Sequence, residues 1–157
     1  MNVGVLGGTF DPPHQAHIKI AERSIEQFNL DKVIFIPSGN PWQKKDATSF
    51  IHRYEMTKIL IKESHFFEIS DIENSQKKPS YTSETLKKLN QPKEKLYFIL
   101  GSDAAMNIKT WKNYEIIQGD KLNLSSTSLR KKLKERDTKN GELPLGILNY
   151  IIDKNLY

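Results

Sequence analysis

Four short apolar runs, Val3 to Leu6, Lys32 to Ile36, Phe66 to Ile72 and Leu96 to Leu100, are separated by stretches of helical period. Strands alternating with helices cannot be joined by tight hairpins, so they form a parallel sheet whose crossovers are the helices. The periodicity predicts a first helix from Pro13 to Phe28, with Ile18, Ala21, Ile25 and Phe28 on one face, and a turn near Asn29. Further helices are expected over Phe50 to Glu63, over Ser83 to Leu89, and after Pro144, where Leu145, Leu148, Ile151 and Ile152 form an apolar stripe. The expected fold is a single α/β domain over residues 1–157, a Rossmann-like doubly wound parallel sheet with a helical C-terminal end.

The first strand runs into Gly7-Gly8-Thr9-Phe10-Asp11-Pro12-Pro13-His14-Gln15-Ala16-His17. Paired glycines let backbone N–H groups approach an anion, and a helix starting just beyond aims further donors and its positive dipole end at the same point. His14 and His17, three residues apart, are expected to share a helical face and reach one oxyanion. His-x-x-His with no following glutamate base and no third ligand nearby is a poor zinc site.

Composition narrows the possibilities further. With 37% hydrophobic and 27% charged residues, and no apolar run near the roughly 18 residues of a membrane span, the chain reads as a soluble protein with no membrane partner. The short apolar run after Met1-Asn2 lacks a basic flank and scans as a buried strand rather than a signal peptide. The absence of cysteine excludes disulfides and thiolate metal sites and suits a cytoplasmic protein. The net charge of +5 comes from lysine pairs spread along the chain and mostly interleaved with glutamates. That pattern is a solvated surface, and no interleaved aromatic and basic stripe points to nucleic acid.

Two more stretches carry chemistry. Gly101-Ser102-Asp103 follows the strand Leu96 to Leu100, where ligands of open parallel sheets collect. There a serine or aspartate caps a helix or accepts hydrogen bonds from a ribose. Ser125-Ser126-Thr127-Ser128-Leu129-Arg130 precedes a basic helix, so hydroxyls, free N–H groups and a guanidinium converge on one end.

The opening motif taken with Ser125 to Arg130 resembles the signature pair of the nucleotidyltransferase α/β superfamily, and within it the bacterial nicotinate-mononucleotide adenylyltransferases. Pro37-Ser38-Gly39-Asn40-Pro41-Trp42-Gln43-Lys44, Pro79-Ser80-Tyr81-Thr82, Gly101-Ser102-Asp103, and Trp111 ahead of Ile116-Ile117 agree in the same order. The resemblance implies a sheet of the nucleotidyltransferase type and transfer of the adenylyl group of ATP to nicotinate mononucleotide, with Mg²⁺ on the phosphates. It implies that His14, His17, Lys44 and Arg130 do the catalytic work, His17 acting most directly on the transition state. Gly8, Thr9 and Phe10 would line the ATP site through backbone. Asp103 would meet the adenylate ribose or the adjoining nucleotide site, and Ser126, Thr127 and Arg130 the phosphates. Lys44, Tyr81, Thr82 and Trp111 would hold the mononucleotide, the indole stacking on the pyridine ring.

The chain departs from the family pattern twice. Ala16 stands where the pattern has glycine, and only Gln118 to Leu124 remains of a longer segment that usually separates the tryptophan region from the Ser-Ser-Thr motif. If a helical region after Trp111 ends at the sheet edge near Gly119, the five residues Asp120 to Leu124 span about 17 Å extended, enough for a minimal return strand. An adenylyltransferase acting on nicotinamide mononucleotide or phosphopantetheine is a rival reading, and a non-catalytic nucleotide- or RNA-binding relative is another. A homo-oligomer is compatible with all of them.

Overall fold

The computed structural model describes residues 1–39, 47–74, 95–100, 115–118 and 145–157. In chain order these form β1 (Asn2–Gly8), α1 (Gln15–Phe28), β2 (Lys32–Pro37), α2 (Phe50–Ile61), β3 (Phe67–Ile69), β4 (Lys95–Leu100), β5 (Glu115–Gln118) and α3 (Leu145–Asp153). The expected helix over Ser83 to Leu89 and return strand over Asp120 to Leu124 lie outside the described residues.

The strands make one parallel sheet in the order β3-β2-β1-β4-β5. The chain builds outward from β1 in one direction, then crosses back and builds in the other, so strand order reverses between β1 and β4. The crevice at that reversal lies beyond the carboxyl ends of the two strands, where the register pairs Leu6 with Ile99.

Period-two alternation sends successive side chains to opposite faces, and both faces are apolar. Leu6, Val33, Phe35, Tyr97 and Ile99 join Ala21, Met56, Ile147 and Ile151 in the larger core. Val3, Val5, Ile36, Leu96 and Phe98 make a second cluster on the other face, with Ile34 and Ile72 packed against it. Helix α1 ends at Asn29 in the left-handed conformation (φ 50°), a conformation asparagine tolerates better than most residues. None of the described helices is long and apolar enough to cross a membrane.

Three expectations need correction. The segment ahead of Gly119 contains a strand, Glu115–Gln118, pairing with β4 at the sheet edge, rather than a helical region. Four residues are too few to display a period, and Ile116-Ile117 is an apolar pair that suits either element. β3 is confined to Phe67–Ile69: one further bond, from the Ser70 N–H to the Phe35 carbonyl (2.9 Å), follows it, and the chain then turns at Ile72 to Asn74. In α3 the buried residues are Ile147 and Ile151, while Ile152 is 64% exposed. A Cβ on Gly146 would lie 2.9 Å from Ile59, so the start of α3 comes close to α2.

Candidate functional site

The site begins where β1 leaves the sheet. The strand does not break on its glycines: Gly7 and Gly8 stay in register with Ile36 and Pro37. No described glycine has a positive φ, and the left-handed residue is Phe10, at 52°. Space does not force either glycine, since a Cβ on Gly7 would meet the Phe98 ring only at 3.7 Å. A Cβ on Gly8 would meet the Phe10 ring at 3.5 Å, in ordinary contact, and the Ser38 N–H reaches the Gly8 carbonyl at 2.8 Å. The Phe10 ring turns inward, 2% exposed, toward Phe35 and edge-on to His17 with centroids 4.8 Å apart. That residue therefore offers a ligand its backbone.

His14 is extended (φ −149°, ψ 177°) and forms the N-cap of α1, so the helix starts two residues later than its period predicts. His17, at the third helical position, accepts the His14 backbone N–H through Nδ1 at 3.1 Å. The two rings face each other 3.9 Å apart with a 30° tilt. An Nδ1 that accepts a hydrogen bond carries no proton, which leaves the donor proton of a neutral His17 on Nε2. His14 is 4% exposed, its Nδ1 has no hydrogen-bond partner among the described residues, and burial lowers its pKa to about 4. Both features leave a neutral imidazole at pH 7 with capacity to spare. The first turn of α1 holds no acidic residue, so nothing in that turn neutralises the positive end of the helix.

Beneath the turn lies a residue that pattern reading overlooked. Arg53, 1% exposed, donates from Nη1 to the carbonyls of Thr9 (3.0 Å) and Ser38 (2.7 Å) and from Nε to that of Thr48 (2.6 Å). It thereby ties the loops after β1 and β2 to the start of α2. Burial lowers its pKa, opposed by the charges of Asp11, Tyr157 and Glu73. Asp11 is also buried, accepting the Thr48 N–H at 3.0 Å and the Tyr157 hydroxyl. The loop after β2 runs close against the turn after β3, and a Cβ on Gly39 would collide with the Glu73 carbonyl. The available sequence signal was Arg53 sharing a helix face with Met56, Thr57, Leu60 and Ile61, a charged residue where the pattern calls for an apolar one.

Gly8, Thr9, Phe10, His14 and His17 thus gather at one corner, at the carboxyl end of β1. Lys44, Tyr81, Thr82, Asp103, Trp111, Ser126, Thr127 and Arg130 lie outside the described residues. Among the described residues no group of three histidine or acidic side chains is placed to hold a metal ion.

A family model described as cytidylyltransferase-like matches residues 5–136. A Clostridium botulinum (strain Okra / Type B1) protein named a probable nicotinate-nucleotide adenylyltransferase is 36% identical, covering 100% of this chain and 99% of that one. That alignment runs over 200 residues against 157 here, so the relative carries internal residues that this chain lacks, in keeping with the short connection ahead of Ser125. A Desulfitobacterium hafniense (strain Y51) protein of the same name is 46% identical over 119 residues, 73% of this chain. The match spans 58% of that relative's length. Among solved structures, Plasmodium falciparum nicotinic acid mononucleotide adenylyltransferase complexed with NaAD superposes with a TM-score of 0.77. The superposition covers 99% of this chain and 97% of that one at 24% identity, a likeness of fold. With the parallel sheet, its reversal at β1 and the histidine corner, these matches place the chain in the cytidylyltransferase-like family, among the nicotinate-nucleotide adenylyltransferases.

Proposed function

We propose that this protein transfers the adenylyl group of ATP to the phosphate of nicotinate mononucleotide, releasing pyrophosphate and forming the dinucleotide precursor of NAD. The observation that carries the reading is the pair of imidazoles stacked at the positive end of α1, beside the carboxyl end of β1. A phosphate oxygen of the mononucleotide is ionised at neutral pH and attacks the α-phosphorus of ATP as the bond to the leaving pyrophosphate breaks. No side-chain nucleophile and no general base is required. What the reaction needs is in-line placement and donors aimed at charge growing on the leaving group.

The α1 amides, the Nε2 proton of His17 and the backbone of Gly8 to Phe10 are donors of that kind. His14, neutral when the corner is empty, gains a reason to take up a proton once phosphate charge arrives beside it. Lys44, Arg130, Ser126 and Thr127 complete the phosphate contacts in this reading, Asp103 the ribose, and Tyr81, Thr82 and Trp111 the pyridine pocket. Imidazole and amide donors suit phosphate oxygens rather than a hard cation, so Mg²⁺ belongs on the ATP phosphates, where it spreads the charge of the leaving pyrophosphate. A cytoplasmic setting, where ATP is plentiful, fits the cysteine-free composition.

The test is pyrophosphate release from ATP and Mg²⁺ with nicotinate or nicotinamide mononucleotide as acceptor. Turnover with the nicotinate compound is expected, while silence with both acceptors would sink the reading.

A further inference from the structure

Segments far apart in sequence meet under the phosphate corner. Arg53 holds the carbonyls of Thr9, Ser38 and Thr48. Asp11, two residues beyond Thr9, receives the Thr48 N–H on Oδ2 and the Tyr157 hydroxyl on Oδ1, a bond linking positions 146 residues apart. Tyr157, which follows α3, packs its half-buried ring on the larger core. Its hydroxyl thus reaches the turn from an anchored base.

We propose that Tyr157, acting through Asp11 and Arg53, is a positioning residue for adenylyl transfer, latching the turn that carries Gly8 to Phe10 and the entry to α1. The inference rests on the reading given above for this corner. Such a turn needs a latch. Phe10 sits at φ 52°, which an L-residue adopts only when its surroundings enforce it, and the next residue in the chain is Asp11. Donors that stabilise a transition state must be held to a fraction of an ångström, whereas ground-state binding tolerates more slack. Loosening the latch is therefore expected to reduce kcat while leaving KM nearly constant. A merely structural role would instead make activity follow the folded fraction.

Tyr157→Phe keeps the ring and its packing and removes only the hydroxyl. At a temperature where circular dichroism shows both proteins fully folded, kcat for pyrophosphate release should fall about tenfold with KM for ATP within about twofold. Asp11→Asn, which also weakens the Thr48 bond and removes the charge facing Arg53, should lose at least as much, and adding Tyr157→Phe to it should cost little more, because the hydroxyl acts through Asp11. Amide hydrogen exchange in ligand-free protein should quicken by about tenfold over residues 7–11 and at Thr48 in Tyr157→Phe. Unchanged exchange overturns the latch whether or not the protein turns over. Normal wild-type turnover matched by the variant also overturns it. Faster exchange in a protein whose wild type is silent keeps the latch and removes the adenylyl reading.

Discussion

His14 and Arg53 stand at the same end of the sheet, each where a helix begins after a parallel strand, and each is almost wholly buried. The difference lies in what their polar atoms do. Arg53 directs its donors to three backbone carbonyls, one after β1 and two at either end of the connection from β2 to α2, so its charge is consumed in holding the chain together. His14 keeps an Nδ1 with no partner among the described residues and sheds its proton instead. Burying a polar group without a partner costs on the order of 1–3 kcal/mol, a cost that stability alone gives no reason to retain. One corner of the fold is closed by its own side chains, and in the proposed reading the adjoining corner keeps an acceptor for chemistry that arrives from outside.

The sharpest way to break that contrast is to truncate the open corner. His17→Ala removes the ring that contacts both Phe10 and His14 and, in this reading, a donor aimed at the leaving pyrophosphate. A loss of about 10²- to 10³-fold in kcat is expected, with mononucleotide KM nearly unchanged. Steady-state pyrophosphate release measures both. Comparable losses in kcat and in binding would assign His17 a ground-state role.

The closed corner should fail differently. Arg53→Met fills similar space but strands the carbonyls of Thr9, Ser38 and Thr48, and it leaves Asp11 and Glu73 without the charge that faces them. Urea unfolding should show a loss of roughly 3 kcal/mol. A variant as stable as wild type would mean that the loops find other donors, and the division between the corners would collapse.

One side of this contrast is legible in the sequence. β1, α1, β2, α2 and β4 are long enough for their periods to show, and residues Gly7 to His17 mark by composition the corner on which the proposed reading rests. The turn's actual geometry was not legible, because left-handed φ fell on Phe10 while the glycines remained in the strand. Residue preference describes what a position tolerates, and here the burial of the Phe10 ring outweighs it. The closed corner was invisible for another reason. Apart from the bond between Arg53 and Thr48, its bonds join positions 15, 37, 44 and 146 residues apart, too far for a local pattern to pair them.

Titration offers a gentler probe of the same difference. The folded-state pKa of His14, about 4, lies below its unfolded value of 6.5. Above pH 6.5 both states are neutral there and folding pays nothing for the burial of charge. As the pH falls from 6.5 toward 4 the unfolded chain takes up the proton first, so stability declines by up to about 1.4 kcal/mol per unit. Between pH 7 and pH 5 that is on the order of 2 kcal/mol. His14→Gln, which does not titrate, should flatten this part of the urea-stability profile by that amount. An unaltered profile would show that His14 is not the group being protonated.

The smallest expected effect separates the two helix starts directly. Neither α1 nor α2 has an acidic residue in its first turn, although one there favours a helix by about 0.3–1 kcal/mol. At α2 the added charge should be simply favourable: Ile51 is 57% exposed, and Ile51→Glu should raise stability slightly without altering KM for ATP. At α1 the equivalent change, Gln15→Glu, should bring a similar gain in urea stability, but its carboxylate would stand beside the incoming phosphates. Affinity for ATP should fall by a few-fold, and more at low salt than at high salt because the repulsion is screened. Equal and negligible changes in KM at both helices would mean that the start of α1 is no more a ligand site than the start of α2. A rise in KM confined to Gln15→Glu would mean that the missing acid at α1 serves the bound phosphate, whereas at α2 its absence has no such consequence.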